Sequence, residues 1–163
     1  MKYKQEKPQV KSVGFGNNFH HRNEIGLSTA YSAKNKLFVK DDTMYIAGTS
    51  NLQDAFDDLK IPFGLTRFSQ RYQDANNLLK TNPQVNHIIG HSLGGSVGLE
   101  LEQRHPEKTL DTITYGAPVL QYSNDKHLRF RHPSDPISAF DNGSLTLGKG
   151  SFNLLQNHAY TKY

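Results

Sequence analysis

The 163-residue chain contains no cysteine. That excludes a disulfide framework, a thiolate zinc site and a cysteine nucleophile. It leaves the redox compartment open. No stretch approaches the roughly 20 consecutive apolar residues of a membrane-spanning helix. The start, Met1-Lys2-Tyr3-Lys4, carries charge with no apolar run behind it and does not read as a secretory signal. A soluble chain is expected, and the basic stretch 1–11 reads as a solubilising tail or a linker within a longer polypeptide. Strong charge of one sign is missing too. Lys and Arg number 19 against 15 Asp and Glu, a net of +4. This is mildly basic, far from a dedicated nucleic-acid arm, and no nucleic-acid partner is expected. Apolar residues are also few, at 35%, with a mean hydropathy of −0.68. What remains is one polar domain with a lean core, long enough to bury roughly 70% of its unfolded surface. Eight histidines are left as metal ligands alongside carboxylates, but no metal site is expected.

Residues 1–27 hold apolar residues only singly and read as an irregular or wrapping segment, with one domain over 28–163. Lys36–Lys40 and Thr43–Ala47 read as two strands around an Asp41-Asp42 turn. Over 50–60 the period changes. Leu52, Ala55, Phe56 and Leu59 share one helical face, and Ser50 and Gln53 have capping-box spacing. A second helix is expected over 67–80, with Phe68, Tyr72, Ala75 and Leu79 as its stripe and Thr66 as its cap. Val85–Ile89 reads as a buried strand, Leu93–Arg104 as a helix, and Thr109–Tyr115 and Lys126–Arg131 as strands, with irregular chain after that. This order predicts α/β architecture: a mostly parallel central sheet flanked by helices, with right-handed crossovers putting helices on both faces.

Gly90-His91-Ser92-Leu93-Gly94 is a G-x-S-x-G. The motif alone is weak, and Gly94-Gly95-Ser96-Val97-Gly98 matches it as well. Context separates the two. The first match follows a predicted strand and opens a predicted helix, where a nucleophile elbow must lie. The flanking glycines remove Cβ atoms from a very sharp turn, and the helix N-terminus favours a developing oxyanion. Ser96 would lie one turn into the helix, where the glycines allow close packing on the sheet.

A serine nucleophile needs a base, and the base an orienting acid, in the chain order Ser, acid, His for this architecture. Of the later histidines, His105 closes the elbow helix and reads as a surface residue. His127 and His132 precede the best acid, whereas His158 follows every later acid. Asp111 starts a strand, at the wrong end of a parallel sheet. Asp141-Asn142-Gly143 reads as a turn. Asp135 follows a strand through a His-Pro-Ser loop, at the edge where open α/β sheets bind ligands.

Taken together, several blocks between Met44 and Tyr160 resemble the class 3 lipases, α/β-hydrolases that include triacylglycerol lipases and phospholipases A1. Met44–Thr49 resembles the strand that ends in Arg-Gly-Thr or Arg-Gly-Ser. Asp57-Asp58-Leu59 resembles part of the segment after it, and Val85–Gly95 the apolar strand with Gly-His-Ser-Leu-Gly-Gly. Thr114–Val119, Asp135–Ser138 and His158-Ala159-Tyr160 are similar to the family's later blocks. The resemblance implies a minimal α/β-hydrolase with a reduced cap. It implies Ser92 as nucleophile, Asp135 as orienting acid, His158 as general base, and Thr49 with the Leu93 N–H as oxyanion hole. It implies hydrolysis of a lipid or small ester with no cofactor. Ala47 stands where the family usually has Arg, so a supporting polar contact is lost or replaced. Ala55-Phe56 stands where a Trp is usual.

The segment 52–63 sits where the family carries its lid. Leu52, Phe56 and Phe63 would then meet acyl chains or a lipid surface; the other reading is a helix packed on the sheet. Lys126, His127, Arg129, Arg131 and His132 could face an anionic membrane surface, though a solvated strand face is the favoured expectation. The functional alternative to an esterase is a catalytically degenerate hydrolase-fold module used for binding or structure.

Overall fold

The hairpin read from the sequence is present. β1 (Leu37–Lys40) pairs antiparallel with β2 (Thr43–Ile46), Lys40 opposite Thr43, so Asp41 and Asp42 form a two-residue loop. Asp41 takes φ 55, and Asp is one of the few non-glycine residues that tolerates this region. The computed structural model describes residues 17–49, 69–117, 128–131 and 145–146. The expected helix over 50–60, with Leu52, Phe56 and Phe63 in or just beyond it, lies outside these residues, as do Thr66, Arg67 and Phe68.

The remaining strands join β2 in parallel: β3 (His87–His91), β4 (Asp111–Tyr115), β5 (Leu128–Arg131) and the short β6 (Leu145–Thr146). Among the described residues the sheet has six strands and follows chain order, β1-β2-β3-β4-β5-β6. β6 falls in chain expected to be irregular; two residues carry no period that a sequence reading could detect. β3 and β4 each begin exposed and are buried for the next four residues, as strands covered on both faces should be.

Among the described residues, two helices lie between strands, α2 (Gln70–Thr81) after β2 and α3 (Leu93–Arg104) after β3. Tyr72, Ala75 and Leu79 are buried as the spacing predicts. The α2 cap is Ser69, whose side chain accepts from the Tyr72 N–H, in place of the expected Thr66. Both helices pack on one face of the sheet, around Met44, Ile46, Ile88, Val97 and Leu101. Among the described residues, the crossover helices thus lie on one face, where helices on both faces were expected. Strands added in one direction by crossovers of one hand carry their helices on one side.

The other face is covered by α1 (Asn17–Ser32), so 17–27 is helical where irregular chain was expected, while 1–16 lie outside the described residues. Its buried stripe is His20, Asn23, Gly26, Leu27 and Ala30, spaced helically but mostly polar or small. Hydrophobic periodicity therefore misses it. Its polar members are held by the fully buried Tyr115, whose hydroxyl meets His20 Nδ1 and accepts from Asn23 Nδ2, both at 2.9 Å. Arg129 is buried rather than part of a solvated strand face; Lys126, His127 and His132 lie outside the described residues. Among the described residues, no helix is long and apolar enough to cross a membrane.

Candidate functional site

β3 ends at His91, and the chain turns directly into α3 through Ser92. Ser92 has φ 52 and ψ −128, the first central position of a II′ turn, which glycine normally fills. Holding serine there costs on the order of 1–3 kcal/mol and needs surroundings that over-determine it. Those surroundings are visible. The Ser92 N–H donates to the Tyr115 carbonyl of β4 at 2.9 Å, and the Ser92 carbonyl accepts from the Gly95 N–H at 2.9 Å.

The glycines act by close approach. A Cβ on Gly94 would collide with the Ile46 carbonyl, so the start of α3 lies against the end of β2. A Cβ on Gly90 would stand 2.5 Å from Gly95 Cα and 2.6 Å from the Gly94 oxygen. The second G-x-S-x-G is a packing feature, as expected. Gly98 faces Ile88 and Thr112, and Gly95 faces Ala117 and Thr114, across gaps too small for a side chain. Ser92 itself is buried at the N-terminus of α3, where the Leu93 N–H opens the first turn and the helix dipole favours negative charge.

The segment 47–49 leaves β2 and passes along this turn. A Cβ on Gly48 would lie 2.8 Å from Ser92 Cβ and 3.0 Å from the His91 oxygen. The structure thus brings Gly48, the residue before Thr49, against Ser92, and Leu93 follows Ser92 directly at the start of α3. Asp135 and His158 lie outside the described residues, as do Leu52, Phe56 and Phe63. Asp111 stands at the N-terminal end of β4, remote from Ser92, with its carboxylate 3.7 Å from His87. His105 caps α3, and its ring is tied to Glu107 and Asn76, each at 2.8 Å, rather than free on the surface.

Three side chains around the turn were not singled out from the sequence. The Tyr31 hydroxyl, from α1, lies 2.5 Å from Nδ1 of the fully buried His91 and accepts from the Gly48 N–H at 3.2 Å. Arg71, in the first turn of α2, donates to the Ala47 carbonyl and, at 3.3 Å, to the Gly48 carbonyl. Burial pushes the Tyr31 hydroxyl up to about 12, against the opposing pulls of the Gly48 N–H and Arg71. Burial also holds the Arg71 guanidinium below its ordinary range. Only the Ala47 departure hinted that another cation was needed here.

A separate cleft of about 690 Å³ opens at the opposite edge of the sheet. Thr43, His87 and Asp111, the first residues of β2, β3 and β4, line it beneath α1. Among the described residues, no group of three His, Asp or Glu side chains is placed to hold a metal ion. Comparison of the chain with models of protein families, with curated proteins and with solved structures finds no match. The site is therefore defined by its own geometry: an α/β fold with a strained serine at a strand-to-helix turn.

Proposed function

We propose that the chain is a serine-dependent acyl ester hydrolase on a minimal α/β-hydrolase frame with a reduced cap, of class 3 lipase type. The observation that carries this reading is the backbone of Ser92. A non-glycine residue at φ 52 between a parallel strand and a helix N-terminus is strained, and such strain gathers at functional turns. In the reaction, Ser92 Oγ attacks the ester carbonyl while His158 takes its proton. Asp135 orients the imidazole and stabilises its charged form. Thr49 and the Leu93 N–H hold the oxyanion. The alcohol leaves with the proton from His158, and water, activated in turn by His158, releases the acid and restores Ser92.

The test is labelling by a fluorophosphonate probe. Wild type reacts and Ser92→Ala does not, while Asp135→Asn and His158→Gln slow the reaction by orders of magnitude. Equal labelling of wild type and Ser92→Ala overturns the assignment. A folded wild type that takes no probe and cleaves no ester points instead to a binding module that keeps the turn. A panel of short p-nitrophenyl esters, triolein emulsion, and neutral and anionic phospholipid vesicles assigns the substrate. Cleavage confined to anionic vesicles ties the +4 charge to a membrane surface.

A further inference from the structure

We infer that Arg71 and Tyr31 are positioning residues that fix the Gly48 peptide groups beside Ser92 and thereby the entry of the chain into the oxyanion hole, an inference that rests on Ser92 being the nucleophile and Thr49 an oxyanion residue. The segment 47–49 has left the β-ladder, so its backbone groups need other partners. Three successive groups find them in side chains from distant elements: the Ala47 and Gly48 carbonyls in Arg71, and the Gly48 N–H in Tyr31. The Gly48–Thr49 peptide is planar and trans, so its C=O and N–H point in opposite directions. Arg71 draws the Gly48 oxygen to its own side and thereby turns the Thr49 N–H away from α2. Tyr31 fixes the preceding peptide from the α1 side and, through His91, ties it to the residue before Ser92.

Helix stability does not explain Arg71. A cation in the first turn meets the positive end of the helix dipole, and burial removes part of its hydration. Two electrostatic preferences are thus overridden by what the guanidinium binds. It supplies from α2 the polar contact that Ala47 cannot.

The experiment compares wild type with Arg71→Met, Arg71→Lys and Tyr31→Phe. It follows phosphonylation of Ser92, kcat and KM on a short p-nitrophenyl ester, and affinity for a trifluoromethyl ketone that forms the tetrahedral adduct. Arg71→Met should slow phosphonylation and lower kcat about 10- to 100-fold with KM near wild type, since a misdirected donor is lost only in the transition state. Ketone affinity should fall in step with kcat/KM. Arg71→Lys should restore part of both, and Tyr31→Phe should show the same pattern more weakly. Folded variants that keep wild-type rates, or lose only KM, overturn the inference while leaving the hydrolase reading intact. If Arg71→Met fails to fold, Arg71→Lys and Tyr31→Phe decide by the same comparison. A wild type that neither labels nor hydrolyses overturns the hydrolase reading and this inference with it.

Discussion

The Tyr31 hydroxyl sits 2.5 Å from His91 Nδ1, joining α1 to the last residue of β3 across 60 positions of sequence. The two rings meet edge to face, with centroids 5.7 Å apart. Because burial raises the Tyr31 hydroxyl from 10.0 to about 12, the unfolded chain gives up this proton first as pH rises. The contribution is complete below pH 10 and is lost between pH 10 and about 12. Urea unfolding across that window should show a fall in stability that Tyr31→Phe reduces. An identical pH slope in both proteins would contradict the link.

Ser92→Gly should abolish the proposed ester cleavage and raise stability by about 1 kcal/mol. Glycine relieves the cost of φ 52, and its greater freedom in the unfolded chain offsets part of that gain. Denaturant midpoints of the two proteins measure the difference. A destabilised Ser92→Gly would mean that the turn is not strained.

The glycines of α3 should rank by what surrounds them. Gly94→Ala drives a methyl into the Ile46 carbonyl, and backbone cannot step aside, so a loss of about 3 kcal/mol or more is expected. Gly98→Ala meets the Ile88 and Thr112 methyls at 2.8 and 3.1 Å, and the better helix propensity of alanine returns about 1 kcal/mol. Its loss should be the smaller of the two by thermal or urea unfolding, and the reverse order would refute the packing account.

On the acid side, burial lowers His20 below its ordinary 6.5. The unfolded chain takes up the proton first, so stability is whole above about 6.5 and declines as pH falls through and below it. His20→Gln should flatten that decline, read from midpoints between pH 7 and 5.

The parts of this chain that were legible are those where apolar residues carry the period. Tyr72, Ala75 and Leu79 mark α2, and Val97 and Leu101 mark α3. The elbow was legible because strand, turn and helix follow one another within a few residues. α1 was not, because His20 and Asn23 look like surface residues until Tyr115, more than 90 positions later, is folded beside them. Arg71 was hidden for the same reason. Its targets lie 23 and 24 positions upstream on another element, and no local spacing encodes that reach.

The sheet's strand order has a consequence for synthesis. Each strand lies beside the one made just before it, so a chain emerging from the ribosome can extend the sheet strand by strand, with no insertion between strands already paired. α1 is the exception to this vectorial assembly. It is the first of these elements to be made, yet its polar stripe finds its acceptor only when Tyr115 of β4 arrives. The contacts of α1 to Gly48 and His91 can form earlier, but the polar contacts of its buried stripe with Tyr115 can be completed only after β4 has been made.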